Sequence, residues 1–206
     1  MPGANDLLGF DTFVSGVEID ASVRIRSVDA TELDEVVPEL AQCLIDLVES
    51  GFPLGFLAPL SRVAAERYWS SLRAEIESGS RVLLVASIDD RIVSSGQLAF
   101  PRWPNARHRA EVHKVFTIGD VRGRGVGLCM MHALHHAARQ RGRSLLLLST
   151  RQGGYAEGFY RKLGYRVIGT TPGYYMDAAG KPADNVSLYI DLSRPERRDA
   201  AALRNP

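Results

Sequence analysis

Arg122-Gly123-Arg124-Gly125-Val126-Gly127 decides how this chain folds, because of what stands on either side of it. Before it runs Val112-His113-Lys114-Val115-Phe116-Thr117-Ile118, rich in β-branched and aromatic residues. After it, apolar residues recur at Val126, Met130, Met131, Leu134, Ala137 and Ala138, the spacing of a helix. A strand, a glycine-rich turn and a helix in that order gather unpaired backbone N–H groups and a positive dipole end at one point. Such a point is an anion site, and phosphate is its usual occupant.

The residues of the turn narrow the choice. A P-loop ends in Gly-Lys-Ser/Thr, whereas Gly127 is followed by Leu128 and Cys129. A dinucleotide fingerprint needs its third glycine one place later and an acid about 20 residues on for the ribose. Position 128 is leucine, and residues 145–150 contain no acid. An ordinary turn that binds nothing is the remaining alternative from the loop alone. Arg122-x-x-Gly125-x-Gly127 opening a helix resembles the acetyl-CoA loop of the GNAT acetyltransferases.

Further motifs extend that resemblance to about residues 22–192. Ala156-Glu157-Gly158-Phe159-Tyr160-Arg161-Lys162-Leu163-Gly164-Tyr165 is similar to the second signature of the family, a short helix running into a strand. His108-Arg109-Ala110-Glu111-Val112-His113-Lys114, Leu148-Ser149-Thr150 and Thr171-Pro172-Gly173-Tyr174 resemble the tabtoxin-resistance branch, whose members acylate a small amino-acid-like toxin.

Composition fits one domain with a sizeable core: 206 residues, 45% hydrophobic and 24% charged, with a formal net charge of +1. That charge exerts no global pull on nucleic acid or membrane, so any anion must be held by a local site. Cys43 and Cys129 make no disulfide framework and read as reduced thiols in helices. No secretory pattern and no apolar run of membrane-spanning length is present, so a cytoplasmic enzyme is expected, monomer or homodimer.

Residues 1–20 read as an N-terminal extension, 21–193 as the acetyltransferase domain and 194–206 as a charged tail. Phe10, Phe13 and Val17 of the extension could pack on the domain. A strand over 23–28 precedes a helix capped by Asp29 or Thr31 and reaching about residue 49, with Pro38 expected to kink or divide it. Residues 51–59 form an apolar loop that packs down or lines a pocket. Ser61 caps a second helix reaching about residue 77, and Gly79 stops it. Strands over 81–88 and 91–100 are joined at Asp89-Asp90, and a long strand follows over 108–118. After the loop and its helix, 144–149 reads as a central strand buried on both faces. A helix from 155 and strands over 165–170 and 186–192 complete the order. The expected fold class is α/β: three layers, with a central mixed, mostly antiparallel sheet flanked by helices. The strands before and after the glycine loop should be parallel neighbours. In the family resembled, they splay apart and admit pantetheine.

Acetyl transfer from a thioester to an amine poses three chemical problems: the amine must lose a proton, an oxyanion must be stabilised and the leaving thiolate must be met. Glu111, in the strand just before the loop, can take a proton directly or through a water; its competing reading is a solvated partner of Arg109 or Arg107. The resemblance favours the catalytic reading. The same resemblance places Ser149 where the branch has an aspartate, which alters the acceptor contact or the proton route. Main-chain N–H groups near Phe116 and Thr117 are suited to the oxyanion. Tyr160 matches the tyrosine that protonates the thiolate in the family; core packing is its alternative. The pyrophosphate is expected on residues 123–128 (Gly123, Arg124, Gly125, Val126, Gly127 and Leu128), with Arg122 either adding charge or acting structurally. Val115, Phe116 and Thr117 should pair with pantetheine through their backbone. His113 is an acceptor-side candidate or a plain sheet histidine. Phe52, Phe56, Trp103 and Tyr174 are candidates for the acceptor pocket wall. His132, His135 and His136 are expected on the solvated face of their helix and not around a metal. The implied ligands are acetyl-CoA and a small-molecule amine, with no metal, nucleic acid or membrane. A non-catalytic acyl-CoA-binding module and a protein N-acetyltransferase are the rival readings.

Overall fold

A computed structural model of the chain describes residues 22–52, 54–177 and 179–193 in full, and residues 13–14 and 17–18 by their backbone. The side chains of Phe10, Phe13 and Val17, Pro53 of the apolar loop and the tail 194–206 lie outside the described residues. Within the extension, β1 (Phe13–Val14) and β2 (Val17–Glu18) pair antiparallel.

Among the described residues, seven strands make one sheet: β3 (Arg24–Val28), β4 (Arg81–Ile88), β5 (Arg91–Ala99), β6 (Arg109–Thr117), β7 (Leu145–Arg151), β8 (Arg166–Met176) and β9 (Pro182–Asp191). Their order is β3-β4-β5-β6-β7-β9-β8. Every neighbouring pair is antiparallel except β6 and β7, so the sheet is mixed in the expected way. The helices are α1 (Leu33–Glu49), α2 (Arg62–Ser70), α3 (Arg73–Glu77), α4 (Val126–Gln140) and α5 (Tyr155–Lys162).

Two neighbouring residues of β5 show that α2 and α4 cover opposite faces. A Cβ added at Gly96 would lie 2.7 Å from Leu134 of α4, whereas the Gln97 side chain bonds the Tyr68 hydroxyl of α2. Alternation along a strand makes these opposite sides of the sheet. Glycine at 96 therefore lets α4 lie close against the sheet.

Reciprocal side-chain contacts shape the turn that leads into α1. The Asp29 carboxylate accepts from the N–H groups of Thr31 and Glu32, while the Glu32 carboxylate accepts from Asp29 N–H. Contrary to the expected division, α1 runs through Pro38 as one helix. Its apolar stripe (Leu33, Val36, Val37, Leu40, Leu44 and Leu47) anchors both halves to the core. Pro38 itself is exposed, so the hydrogen bond it cannot make falls on the solvent side.

The second predicted helix is instead two. Ser61 caps α2 by accepting from Ala64 N–H, as read from the sequence, but Ser71 and Leu72 interrupt the run. There the Ser71 hydroxyl donates to the Tyr68 carbonyl and Leu72 N–H turns to Trp69, tightening the backbone. Gly79, at φ +69°, ends α3.

Two strand expectations also change. β7 is buried on one face only, through Leu146 and Leu148; Leu145 and Leu147 are half-buried and Ser149 is exposed. β8 continues through Pro172 and Tyr174 to Met176, because it is the sheet's outer edge and Pro is tolerated there.

The largest departure concerns α4. Nine of its residues are buried, among them His135, which sequence periodicity assigned to the solvated face. Its Nε2 lies 3.0 Å from the Tyr165 hydroxyl, so the stretch between α5 and β8 covers a side of α4 that the sheet does not reach. Burial, with His132 and Arg139 nearby, holds the His135 pKa down at about 3 against the ordinary 6.5, so the folded protein prefers the neutral ring. The unfolded chain takes up a proton below 6.5 that the folded chain refuses until about 3. Stability is therefore fully present above pH 6.5 and falls as the pH drops toward 3. Between pH 7.5 and 5.0 this group alone should remove ~2 kcal/mol. Urea midpoints of wild type and His135→Leu at those two pH values check it. A wild type no more acid-sensitive than the variant would rule the assignment out.

Candidate active site

The parallel ladder of β6 and β7 has three residue pairs: Arg109 with Leu145, Ala110 with Leu146 and Glu111 with Leu147. Beyond Glu111 the strands part. β7 keeps its pairing with β9 as far as Arg151, and β6 keeps its own with β5 as far as Thr117. The result is a gap inside the sheet, beginning at Glu111 and widening toward the glycine loop.

At the wide end stands the N-terminus of α4. Gly123 and Gly125 adopt φ +81° and +77°, a left-handed conformation that suits glycine, and no side chain caps the helix. Cys129 N–H bonds the Gly125 carbonyl at 3.0 Å, so the N–H groups of the preceding turn point out toward the loop. An uncapped helix end among glycines suits a pyrophosphate, which is the arrangement the residue pattern predicts.

Arg122 serves as a brace. Its Nε donates to the Thr117 carbonyl at 3.1 Å, and its guanidinium lies 4.3 Å from the centre of the Phe52 ring. Arg124 is exposed at the loop. Two of the carbonyls expected to meet pantetheine are engaged already: Thr117 with Arg122, and Phe116 with the Ser94 hydroxyl.

Glu111 opens onto a cavity of about 710 Å³ lined also by Arg102, Trp103 and Arg109. Its carboxylate lies 3.5 Å from His113 Nε2 and 4.0 Å from Arg109, with 46% of the side chain exposed. Burial, with Arg81 adding to it, lowers the His113 pKa below its ordinary value. Ser149 stands two residues past Leu147, the register partner of Glu111, and so shares its face of the sheet.

Tyr160, on α5, is buried in ring contact with Phe159 and Tyr165. Its hydroxyl has no hydrogen-bond partner among the described residues, and burial pushes its pKa up to about 12. It therefore keeps its proton throughout the physiological range. The next ring, Phe159, reaches the first turn of α4, within 3.7 Å of where a Cβ on Gly127 would be. The helix that carries Tyr160 thus abuts the glycine loop.

The four predicted wall residues do not share one site. Trp103 stands over the cavity of Glu111, and Phe56 packs on Tyr68 nearer the bulge in β6. Phe52 lines a different cavity of about 400 Å³ between α1 and Arg122. Tyr174 is exposed on β8, three strands from β6 and so about 14 Å away by strand spacing.

Sequence reasoning passed over Lys114, Gln97, Arg81 and Tyr68. β6 bulges opposite Gly96, and Lys114 takes φ +49° there. Its ammonium lies 5.0 Å from the Tyr68 ring centre and 5.5 Å from that of Phe56. The only hint in the sequence was the apolar loop that carries Phe56. Among the described residues, no three His, Cys, Asp or Glu side chains converge as metal ligands, and no helix is long and apolar enough to cross a membrane.

A family model described as "Acetyltransferase (GNAT) domain" matches residues 54–174. An uncharacterized N-acetyltransferase from the hisH–hisA intergenic region of Azospirillum brasilense is 28% identical over 132 residues, 63% of this chain and 76% of the relative. The ribosomal-protein-alanine N-acetyltransferase of Brucella melitensis superposes with a TM-score of 0.64 at 21% identity, over 82% of this chain and 99% of that one. The protein yncA of Salmonella typhimurium, classed as an acetyltransferase and solved with its cofactor acetyl-CoA, gives a TM-score of 0.66 at 16% identity, over 87% and 99%.

Proposed function

The chain belongs to the GNAT acetyltransferase family and is an acyltransferase; on that premise we propose that it transfers the acetyl group of acetyl-CoA to the primary amine of a small molecule, directly, in a ternary complex in the cytoplasm. One observation carries the reading: the gap between β6 and β7 ends at an uncapped, glycine-rich helix N-terminus. Acetyl-CoA supplies an activated acetyl thioester. The N–H groups of residues 123–128 hold its pyrophosphate, and the main chain of residues 115–117 lies along its pantetheine. Glu111 accepts a proton from the amine, directly or through water. Tyr160 holds a proton at Oη for the departing sulfur.

The cavity beside Glu111 is of small-molecule size, which supports a metabolite, antibiotic or toxin acceptor, as does the likeness to the tabtoxin-resistance branch. Ser149 at the aspartate position of that branch argues for an acceptor other than the toxin itself.

Calorimetric titration with acetyl-CoA, followed by CoA release over a panel of amines, tests the proposal. Gly125→Val places a β-branched side chain where φ is +77°. It should weaken acetyl-CoA binding about tenfold with an unchanged circular dichroism spectrum. Unaltered affinity in the variant would remove the loop from the cofactor site. Acetylation of protein substrates only, read by mass spectrometry, would replace the small-molecule acceptor with a polypeptide.

A further inference from the structure

On the α2 face of the sheet, a chain of polar contacts runs from Glu75 through Arg81 and Gln97 to Tyr68. Arg81 lies 2.7 Å from Glu75 and 2.8 Å from the Gln97 side-chain oxygen, and the Gln97 amide meets the Tyr68 hydroxyl at 3.1 Å. These contacts commit Arg81 to a carboxylate and hold the Tyr68 ring in place. Lys114 stands against that ring and the ring of Phe56, and its ammonium is close enough to Gly55 that a Cβ there would come within 3.1 Å. Among the described residues it has no carboxylate and no hydrogen-bond partner.

Three features therefore coincide at one residue. Lys114 carries a half-buried positive charge that no described residue neutralises. Arg81 adds like charge nearby and lowers the lysine's pKa, after burial itself. The backbone is left-handed, at φ +49°, where glycine would serve the bulge at lower cost. Buried charges are ordinarily paired, and non-glycine residues held in such backbone gather at ligand sites. Aromatic rings orient an ammonium but leave it available to an anion.

What anion it meets follows from position. The pyrophosphate belongs to the glycine loop, and pantetheine has no charge. Glu111 stands three residues earlier on the same strand, with His113 on the same face between the two and 3.5 Å from the Glu111 carboxylate. That face of the strand thus has a negative end at Glu111 and a positive end at Lys114, about 10 Å apart along it. A molecule bearing both an ammonium and an acid complements it.

We propose that Lys114 binds a carboxylate on the acceptor, so that the substrate is an amino acid or a close analogue whose amine is directed to Glu111. The inference rests on the acyl-transfer reading above and specifies its acceptor. The test uses the full chain saturated with CoA, titrated with the proteinogenic amino acids and ornithine, each beside its carboxamide counterpart. At least one acid should bind tenfold or more tightly than its amide. Lys114→Met should abolish that preference by weakening the acid alone, and Lys114→Arg should restore part of it. Acetyl-CoA affinity should be the same in all three proteins. An acid-over-amide preference that survives in Lys114→Met would overturn the proposal, as would an equal loss for acid and amide. So would binding by none of the acids while CoA binds normally, which leaves acetyl transfer itself standing. Failure of wild type to bind CoA or acetyl-CoA would remove both readings together.

Discussion

Tyr160→Phe should lower kcat by about a hundredfold or more while leaving acetyl-CoA affinity and stability nearly unchanged, since general acid catalysis contributes 10²–10⁴-fold. The two halves of that expectation have separate sources. The native ring sits in a buried cluster with Phe159 and Tyr165, and phenylalanine fills the same space. The hydroxyl has no hydrogen-bond partner among the described residues, so its removal breaks no native bond. With the ring volume kept and no native bond broken, the variant should match wild type in stability. What it loses is the proton. With the tyrosine pKa near 12, wild type should show no alkaline fall in activity from this group across the usual assay range. Single-turnover rates beside thermal melts make the check. Turnover within threefold of wild type would reduce Tyr160 to a packing residue.

Glu111→Gln should cost about a hundredfold in kcat/KM, with the loss concentrated in acceptors of high amine pKa. The side chain is half exposed and touches only His113 and Arg109, both at 3.5 Å or more, so glutamine is tolerated without repacking. In the variant, an acceptor must arrive already deprotonated, and the rate should climb tenfold per pH unit below the amine pKa. Wild type should rise less steeply. Acceptors with weakly basic amines should lose least. If all amines lost equally, or the two proteins shared one pH profile, Glu111 would be a surface partner of Arg109 and His113 and not a base.

The elements that could be read in advance were those whose signal is local. Asp89-Asp90 marks a hairpin because both residues can adopt left-handed backbone, and they do, at φ +48° and +62°. The six apolar positions of α1 each face the core, as periodicity requires. The turn at the glycine loop was legible because Gly123 and Gly125 signal by themselves the left-handed backbone they adopt, at φ +81° and +77°. His135 was not legible, since its burial depends on Tyr165, which lies 30 positions away in sequence. Lys114 was missed for a related reason: a bulge is a property of two strands, visible only once Gly96 is set opposite it. The wall residues fared unevenly because an aromatic side chain reports that it will be covered, not by what. Phe52 found Arg122, Phe56 found Tyr68, and Tyr174 remained at the sheet edge.

The three rungs between β6 and β7 have a mechanical meaning as well as a chemical one. They divide the sheet into a half of four strands and a half of three, sewn together at one end and open at the other. On the acyl-transfer reading proposed above, acetyl-CoA lying in the opening would become a structural member, tying the halves along the length that the rungs leave unsewn. Its binding energy then counts toward cohesion of the whole domain, growing with the logarithm of its concentration over Kd. The persistence of this protein against proteases would accordingly follow the supply of acetyl-CoA around it, making its lifetime a readout of the pool from which it draws.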